Sequence, residues 1–282
     1  MKLFQAEQVK DSFIREFLEK YEYFCAQLCS SVRRGEEGIY VLTRKDSVSS
    51  AADIIGVISV TGAVHHCLPF LKNTDQELNR ILLDLFYGKK IVCIDGEKKA
   101  TEYLKGLLES SGLKARHTNE YFLMVKEDDT MLPPPASLLC MGEEIVCCKP
   151  DHEEDLYDLQ KHYLMEEVSP SGEKPSDLYV KSNVRSILKN QKVFAIENDG
   201  KFVAKANTNA IGWNWVQIGG VYTDPLYRRN SYALCLVSTL ARRIYKTGRK
   251  MCLFVNKKNI PALSLYEKLE FRKSCEFQIS YF

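Results

Sequence analysis

Apolar residues in the C-terminal half change period several times, and each change marks an element. Ala233, Leu236, Val237, Leu240, Ala241 and Ile244 recur at helical spacing, with Arg242, Arg243 and Lys246 on the other side and Gly248 as a stop signal, which predicts one amphipathic helix. Residues 251–255 form a short apolar run ending at Asn256, which predicts a buried strand. Asn259 then stands as a helix cap, with Pro261 where its missing N–H costs little, so a second helix follows. Upstream, 144–148 reads as a strand and 151–167 as a helix with Leu156, Leu159, Tyr163 and Leu164 as its buried stripe. A Ser-Pro-Ser-Gly loop over 169–172 leads to another helix over 176–189. Segments 193–196 and 202–206 pair across the Asn198-Asp199-Gly200 turn, and a strand over 215–223 completes a meander.

The N-terminal half reads as α/β too. A helix is expected over 6–32, strands over 39–42 and 54–60, a helix over 76–86, a strand over 91–94, a helix over 98–110 and a strand over 121–125. The clearest punctuation is Leu132-Pro133-Pro134-Pro135-Ala136-Ser137, which sets the expected domains at 1–135 and 140–282. A chain of 282 residues that is 45% hydrophobic can build two such cores. The formal net charge of +2, with no basic run longer than a pair, argues against a nucleic-acid partner or an anionic membrane. No stretch reaches the roughly 18 apolar residues of a membrane span. The first turns of the chain are charged and lack a signal-peptide core, so a cytoplasmic protein is expected.

Ten cysteines include no Cys-x-x-Cys pair and no cluster with zinc spacing. Cys93 and Cys252 sit inside apolar strand patterns, where a thiol serves as a small hydrophobe. Adjacent residues such as Cys147 and Cys148, or His65 and His66, point in different directions, and no carboxylate follows the histidines at ligand spacing, so no metal site is expected.

The chemistry gathers where the strand over 215–223 empties through Asp224-Pro225-Leu226-Tyr227 into the helix that begins near Ala233. Amide N–H groups at a helix start lack intrahelical partners and sit at the positive end of the helix dipole, so such a turn holds anions. Arg228 and Arg229 add charge there. The order strand, turn, Arg228-x-x-Ser231-x-Ala233 and helix resembles the acetyl-CoA loop of the GNAT N-acetyltransferase superfamily, whose signature is Arg/Gln-x-x-Gly-x-Gly/Ala. A second hallmark of that family, an asparagine followed by alanine and Leu-Tyr-Glu-Lys-Leu-Gly-Phe, is matched by Asn259, Ala262 and Leu265 to Leu269. The resemblance covers 143–282.

The resemblance implies an α/β fold with a mixed, mostly antiparallel sheet flanked by helices. It implies acyl transfer from acetyl-CoA to a primary amine, of a small molecule or a protein. Val221, Tyr222 and Thr223 would lie along the cofactor arm. Arg228, Arg229, Asn230, Ser231, Tyr232 and Ala233 would hold the pyrophosphate, with Asn256 and Asn259 as further cofactor-side groups. Tyr266 matches the tyrosine that protonates the leaving sulfur, although its spacing with Ala262, Leu265 and Leu269 equally suits a core aromatic. Glu166, Glu167, Glu197 and an ordered water all stand open as the general base, and either Trp213 or Trp215 could face the acceptor. Three departures stand out, since Arg229, Ser231 and Glu270 occupy positions where glycine is common in the family. Ser231 is expected to compensate as a hydroxyl cap and Arg229 as a phosphate ligand. The missing glycines also leave room for a second function, a CoA-binding regulator with little turnover. The N-terminal half is compatible with either a degenerate second GNAT-like unit lacking the phosphate loop or an unrelated α/β domain.

Overall fold

The computed structural model describes residues 1–69, 76–130, 132–169 and 174–282. By compactness the chain forms two units. The first is Met1–Leu123 with Gly212–Asn214 and Ser274–Phe282, and the second is Met124–Ile211 with Trp215–Lys273.

In chain order the first unit contains β1 (Lys2–Gln5), α1 (Asp11–Glu19), α2 (Ala26–Arg33), β2 (Ile39–Thr43), β3 (Ile54–Val60), β4 (Ala63–Cys67), α3 (Gln76–Phe86), β5 (Cys93–Glu97), α4 (Lys98–Ser110) and β6 (His117–Lys126). The second repeats that order with β7 (Glu143–Cys147), α5 (Glu153–Tyr163), α6 (Asp177–Asn190), β8 (Val193–Asn198), β9 (Lys201–Ile211), β10 (Trp215–Thr223), α7 (Tyr232–Tyr245), β11 (Lys250–Asn256) and α8 (Ile260–Lys268). The last strand, β12 (Arg272–Tyr281), pairs antiparallel with β5 over Phe277–Tyr281 and so completes the first unit. In each unit three antiparallel strands precede one parallel pair, β4 with β5 and β10 with β11. A parallel pair needs a crossover element, and α3 and α7 supply it.

The expected 6–32 helix is broken. Between α1 and α2 the backbone leaves the helical region at Tyr21 (φ −126°) and Cys25 (φ −130°), with a 3-10 turn over Glu22–Phe24. The break packs Tyr21 and Tyr23 against Phe24, with ring centroids 5.6 and 5.3 Å apart. It also turns the Glu22 carboxylate into the interior, where Asn214 donates to it from its backbone N–H at 3.0 and 3.2 Å and from Nδ2 at 3.2 Å. A buried carboxylate needs such donors.

The helix expected over 151–167 is also shorter. It ends at Tyr163 and continues as one π turn over Leu164–Val168. The expected loop at 169–172 lies outside the described residues beyond Ser169. β4 was not expected, and it separates the two histidines as neighbours on a strand must be separated. His65 Nδ1 meets Asp95 Oδ1 at 2.8 Å, while His66 Nε2 meets Thr101 Oγ1 at 2.9 Å. Around the second unit's meander, Leu156, Leu159, Leu164, Val180 and Val184 of the helical layer pack on Val193, Ala195, Phe202 and Tyr222 of the strands. Among the described residues no helix is long and apolar enough to cross a membrane.

Deleting 274–282 removes the antiparallel partner of β5. Hydrogen exchange on the truncated chain should be faster at 93–97 and unchanged in β8 and β9; unchanged exchange at 93–97 would contradict the assignment of this strand to the first unit.

Candidate functional site

β10 and β11 begin as a parallel pair, Trp215 to Ile218 against Lys250 to Leu253, and their ladder ends there although both strands continue. β10 stays with β9 instead, through a bulge between Gly219 and Tyr222 in which Gly220 has φ +58°. The Asp224 N–H donates to the Val203 carbonyl at 2.9 Å. Strand alternation then directs the Tyr222 N–H to β9, and that of Thr223 away from it, into the gap that β11 has left. A strand interior with unpaired amides on one side is a place for an extended ligand backbone to bond.

Past the gap, the Asp224 carboxylate caps a 3-10 turn over Pro225–Tyr227 by accepting the Leu226 N–H at 3.0 Å. The chain then passes Arg229 at φ +70° and Ser231 at φ +61° before α7, and α8 ends with Glu270 at φ +59°. All three positions expected to hold glycine therefore keep a left-handed backbone, which costs an L-residue roughly 1 kcal/mol or more at each. Ser231 does not compensate as expected, because its side chain makes no capping bond. A capping hydroxyl reaches back from an extended residue, and Ser231 is left-handed. Arg229 is exposed and makes no ion pair among the described residues.

The other expected site residues fall into two groups. Arg228 is folded back along the gap, where its Nη2 donates to Glu166 at 2.8 and 2.7 Å and its Nε to the Thr223 carbonyl at 3.1 Å. Tyr222 also donates its hydroxyl to Glu166 at 3.1 Å, and burial and that carboxylate push it up to about 12. Glu167, the next residue in the π turn, accepts from Asn259 Nδ2 at 2.8 Å, while Asn259 Oδ1 caps α8 through the Ala262 N–H at 3.1 Å. Burial raises Glu167 above the ordinary carboxylate range. Tyr266 is buried against Phe271 with centroids 5.6 Å apart, and burial, then Tyr163 and Glu167, push its hydroxyl well up. Tyr163 is pushed up to about 12 by burial and Glu167, against a backbone hydrogen bond from Gly220. Glu167, Tyr266, Tyr163 and Asn259 thus form one cluster beside the bulge.

The second group lies elsewhere or has its side chains occupied. Tyr232 is buried, donating to Glu143 and accepting from Asn198 Nδ2 at 3.3 Å. Asn230 donates to the Tyr227 carbonyl at 3.2 Å, Asn256 Oδ1 accepts the Lys258 N–H at 2.9 Å, and Ala233 lies half-buried in the first turn of α7. Trp215 opens β10 at the end opposite the bulge, under Lys250, and Trp213 belongs to the first unit, packed with its apolar cluster under Arg15. Glu197 sits at the β8–β9 turn opposite Glu144. Sequence reasoning missed Tyr163 and Lys205 as site residues. Tyr163 reads as one more stripe position, whereas Lys205 stands out as a charge within the apolar run over 202–206.

The family described as FR47-like protein matches residues 201–279. No curated protein matches the chain. Among solved structures, a Drosophila protein is 13% identical and aligns over 99% of this chain and 98% of its own, with a TM-score of 0.66. A tandem GNAT protein from the clavulanic acid biosynthesis pathway is 9% identical over 99% and 98%, with a TM-score of 0.59. A GCN5-related N-acetyltransferase from Kribbella flavida is 15% identical over 91% and 93%, with a TM-score of 0.57. The chain spans 65% of a GNAT-family protein from Novosphingobium aromaticivorans, at 19% identity over 59% of this chain and a TM-score of 0.46. At these identities the likeness is one of fold: the chain shares the fold of GNAT-family structures along nearly its whole length, a tandem one included, so its N-terminal half has a GNAT-like fold as well.

Restoring glycine where the backbone is left-handed should relieve strain. Ser231→Gly and Glu270→Gly are each expected to stabilise by roughly 0.5 to 1 kcal/mol and to raise the melting temperature by about 2–4 °C in thermal denaturation. A lowered melting temperature in both would contradict the strain.

Proposed function

We propose that this chain, with its GNAT-type C-terminal segment, is a cytoplasmic N-acyltransferase that moves an acetyl group from acetyl-CoA to a primary amine. The observation that carries the reading is the gap after Ile218 and Leu253, which has strand amides on one side, an exposed arginine and a helix start at one end, and a carboxylate with a buried tyrosine beside it. In this reading the pantetheine arm bonds along Val221 to Thr223. The diphosphate meets Arg229 and the first amides of α7, and the thioester carbonyl lies on the Val221 N–H.

Chemically, the amine must be neutral to attack. Glu167, held by Asn259 and raised by burial, takes the ammonium proton directly or through water. The amine nitrogen bonds to the thioester carbon, and the Val221 N–H stabilises the oxygen as charge develops there. Glu167 passes that first proton to solvent; the C–S bond then breaks with its electron pair going to sulfur, the sulfur takes a proton from Tyr266, and the amine's remaining excess proton leaves through Glu167 and restores Tyr266. Because burial keeps Tyr266 protonated throughout the neutral range, it is always poised as an acid. The products are an amide and free CoA. The acetyl-CoA site is assigned to the domain at 140–282.

A second reading, a CoA-binding regulator with little turnover, is favoured by one feature. Glu166 already occupies Arg228, so a phosphate must compete for that guanidinium. The pair is about 44% exposed on each side, and such pairs contribute roughly 0–1 kcal/mol. The competition is therefore worth at most about fivefold in affinity, too little to hold the site shut. Glu166→Gln is expected to leave CoA affinity within about fivefold of the wild type in calorimetry without affecting pantetheine; tightening far beyond that factor would show that the Glu166–Arg228 pair does hold the site shut.

The direct test is CoA release from acetyl-CoA with a panel of amines. Tyr266→Phe is expected to lower kcat about a hundredfold while the acetyl-CoA Kd stays the same. An unchanged kcat, with chemistry rate-limiting, would return Tyr266 to a core aromatic. The active form of Glu167 is the carboxylate, so activity should fall as pH drops through its raised pKa. Glu167→Gln should lose activity together with that acid limb, and an acid limb that persists in this variant would assign the base elsewhere.

A further inference from the structure

Lys205 lies at the centre of β9, fully buried, and among the described residues no carboxylate pairs with it. Its Nζ donates to the Gly220 carbonyl oxygen at 2.9 Å and to Asn207 Oδ1 at 3.5 Å, and lies 4.7 Å from the centroid of the Tyr163 ring. Burial brings its pKa down to about 7, with Cys148 as the nearby group opposing that shift. Desolvating an amine without an ion partner is unfavourable, and a methionine would fill the same volume without that cost. Stability does not explain the lysine.

Its hydrogen bond does have a consequence for Val221. The Gly220 carbonyl and the Val221 N–H belong to one planar trans peptide, so they point in opposite directions. With the oxygen drawn to Lys205 Nζ, the N–H of the same peptide is directed away from that amine. The packing leaves no slack in this arrangement. A Cβ on Gly220 would sit 1.9 Å from Asn207 Oδ1 and 2.9 Å from Lys205 Nζ, so only a glycine with its left-handed φ lets the amine reach the carbonyl.

We propose that Lys205 is a positioning residue for acyl transfer: by holding the Gly220 carbonyl it fixes and polarises the peptide whose N–H, at Val221, receives the thioester oxygen. The proposal rests on the acyl-transfer reading above. Donation from Nζ persists whether the amine is charged or neutral, since both forms carry N–H groups. A donor bonded at its own carbonyl is a stronger donor, because hydrogen bonds in a chain polarise one another.

The test compares acetyl-CoA with S-ethyl-CoA, which keeps every phosphate and pantetheine contact but has no thioester carbonyl. The full-length wild type should prefer acetyl-CoA by about fivefold in Kd, the effect of one hydrogen bond. Lys205→Met should bind S-ethyl-CoA as the wild type does, reduce the preference to less than about twofold, and lower kcat at least tenfold with little change in the amine KM. A merely structural lysine would instead weaken both ligands alike. Lys205→Gln, which retains an N–H donor on a shorter side chain, serves if the methionine variant does not fold, and its preference should again fall. A preserved acetyl-CoA preference and kcat in a folded variant would overturn the role of Lys205 alone. Failure of the wild type to bind either ligand would overturn the acyl-transfer reading and this proposal together.

Discussion

Everything at the candidate site depends on the parting of β10 from β11 after Ile218 and Leu253. Two parallel strands that stayed paired would satisfy each other's amides and leave nothing for a ligand. β10 is drawn off by its other neighbour, since the bulge at Gly219 and Gly220 keeps Tyr222 and Thr223 in register with Lys205 and Ala204 of β9. The bulge is therefore a device of the strand and not an irregularity in it. It needs glycine for its left-handed φ and for room, and it has Lys205 and Asn207 on β9 as its buried polar support.

The second device is the π turn at the end of α5. One extra residue in a helical turn changes the direction of the side chains that follow. Glu166 meets Arg228 and Tyr222, whereas Glu167 meets Asn259 and is buried near Tyr266. Two adjacent carboxylates thereby acquire different work. Glu166 is half exposed in an ion pair of small energetic weight. Glu167 is desolvated and raised, the condition under which a carboxylate can serve as a base near neutrality.

Much of the second unit was legible in the sequence because its elements obey local rules. The α7 stripe, the Asn-Asp-Gly turn and the Asn259 cap all stand where period, turn chemistry and capping place them. The left-handed loop was legible through its resemblance even though arginine and serine occupy it, since the backbone kept the shape the glycines would have had. What escaped was tertiary in origin. The broken helix near Tyr21 depends on a carboxylate that finds its donors at Asn214, far along the chain. The length of α5 depends on a π turn that no periodicity announces, and the strand at Ala63–Cys67 carries two histidines whose partners, Asp95 and Thr101, are some thirty residues away. Lys205 was visible as a charge in an apolar run, but its significance follows only from the bulge across from it.

The central claim is that the gap beside β10, with the loop that leads into α7, receives an acyl-CoA. Hydrogen exchange of the full-length chain with and without saturating acetyl-CoA tests it directly, because amides that bond a ligand are protected where they lie. The account predicts slower exchange at Val221, Thr223 and the first turn of α7, with the β7–β8 hairpin unaffected. Exchange unchanged at Val221 and at the start of α7, in a sample shown to be saturated, would contradict it.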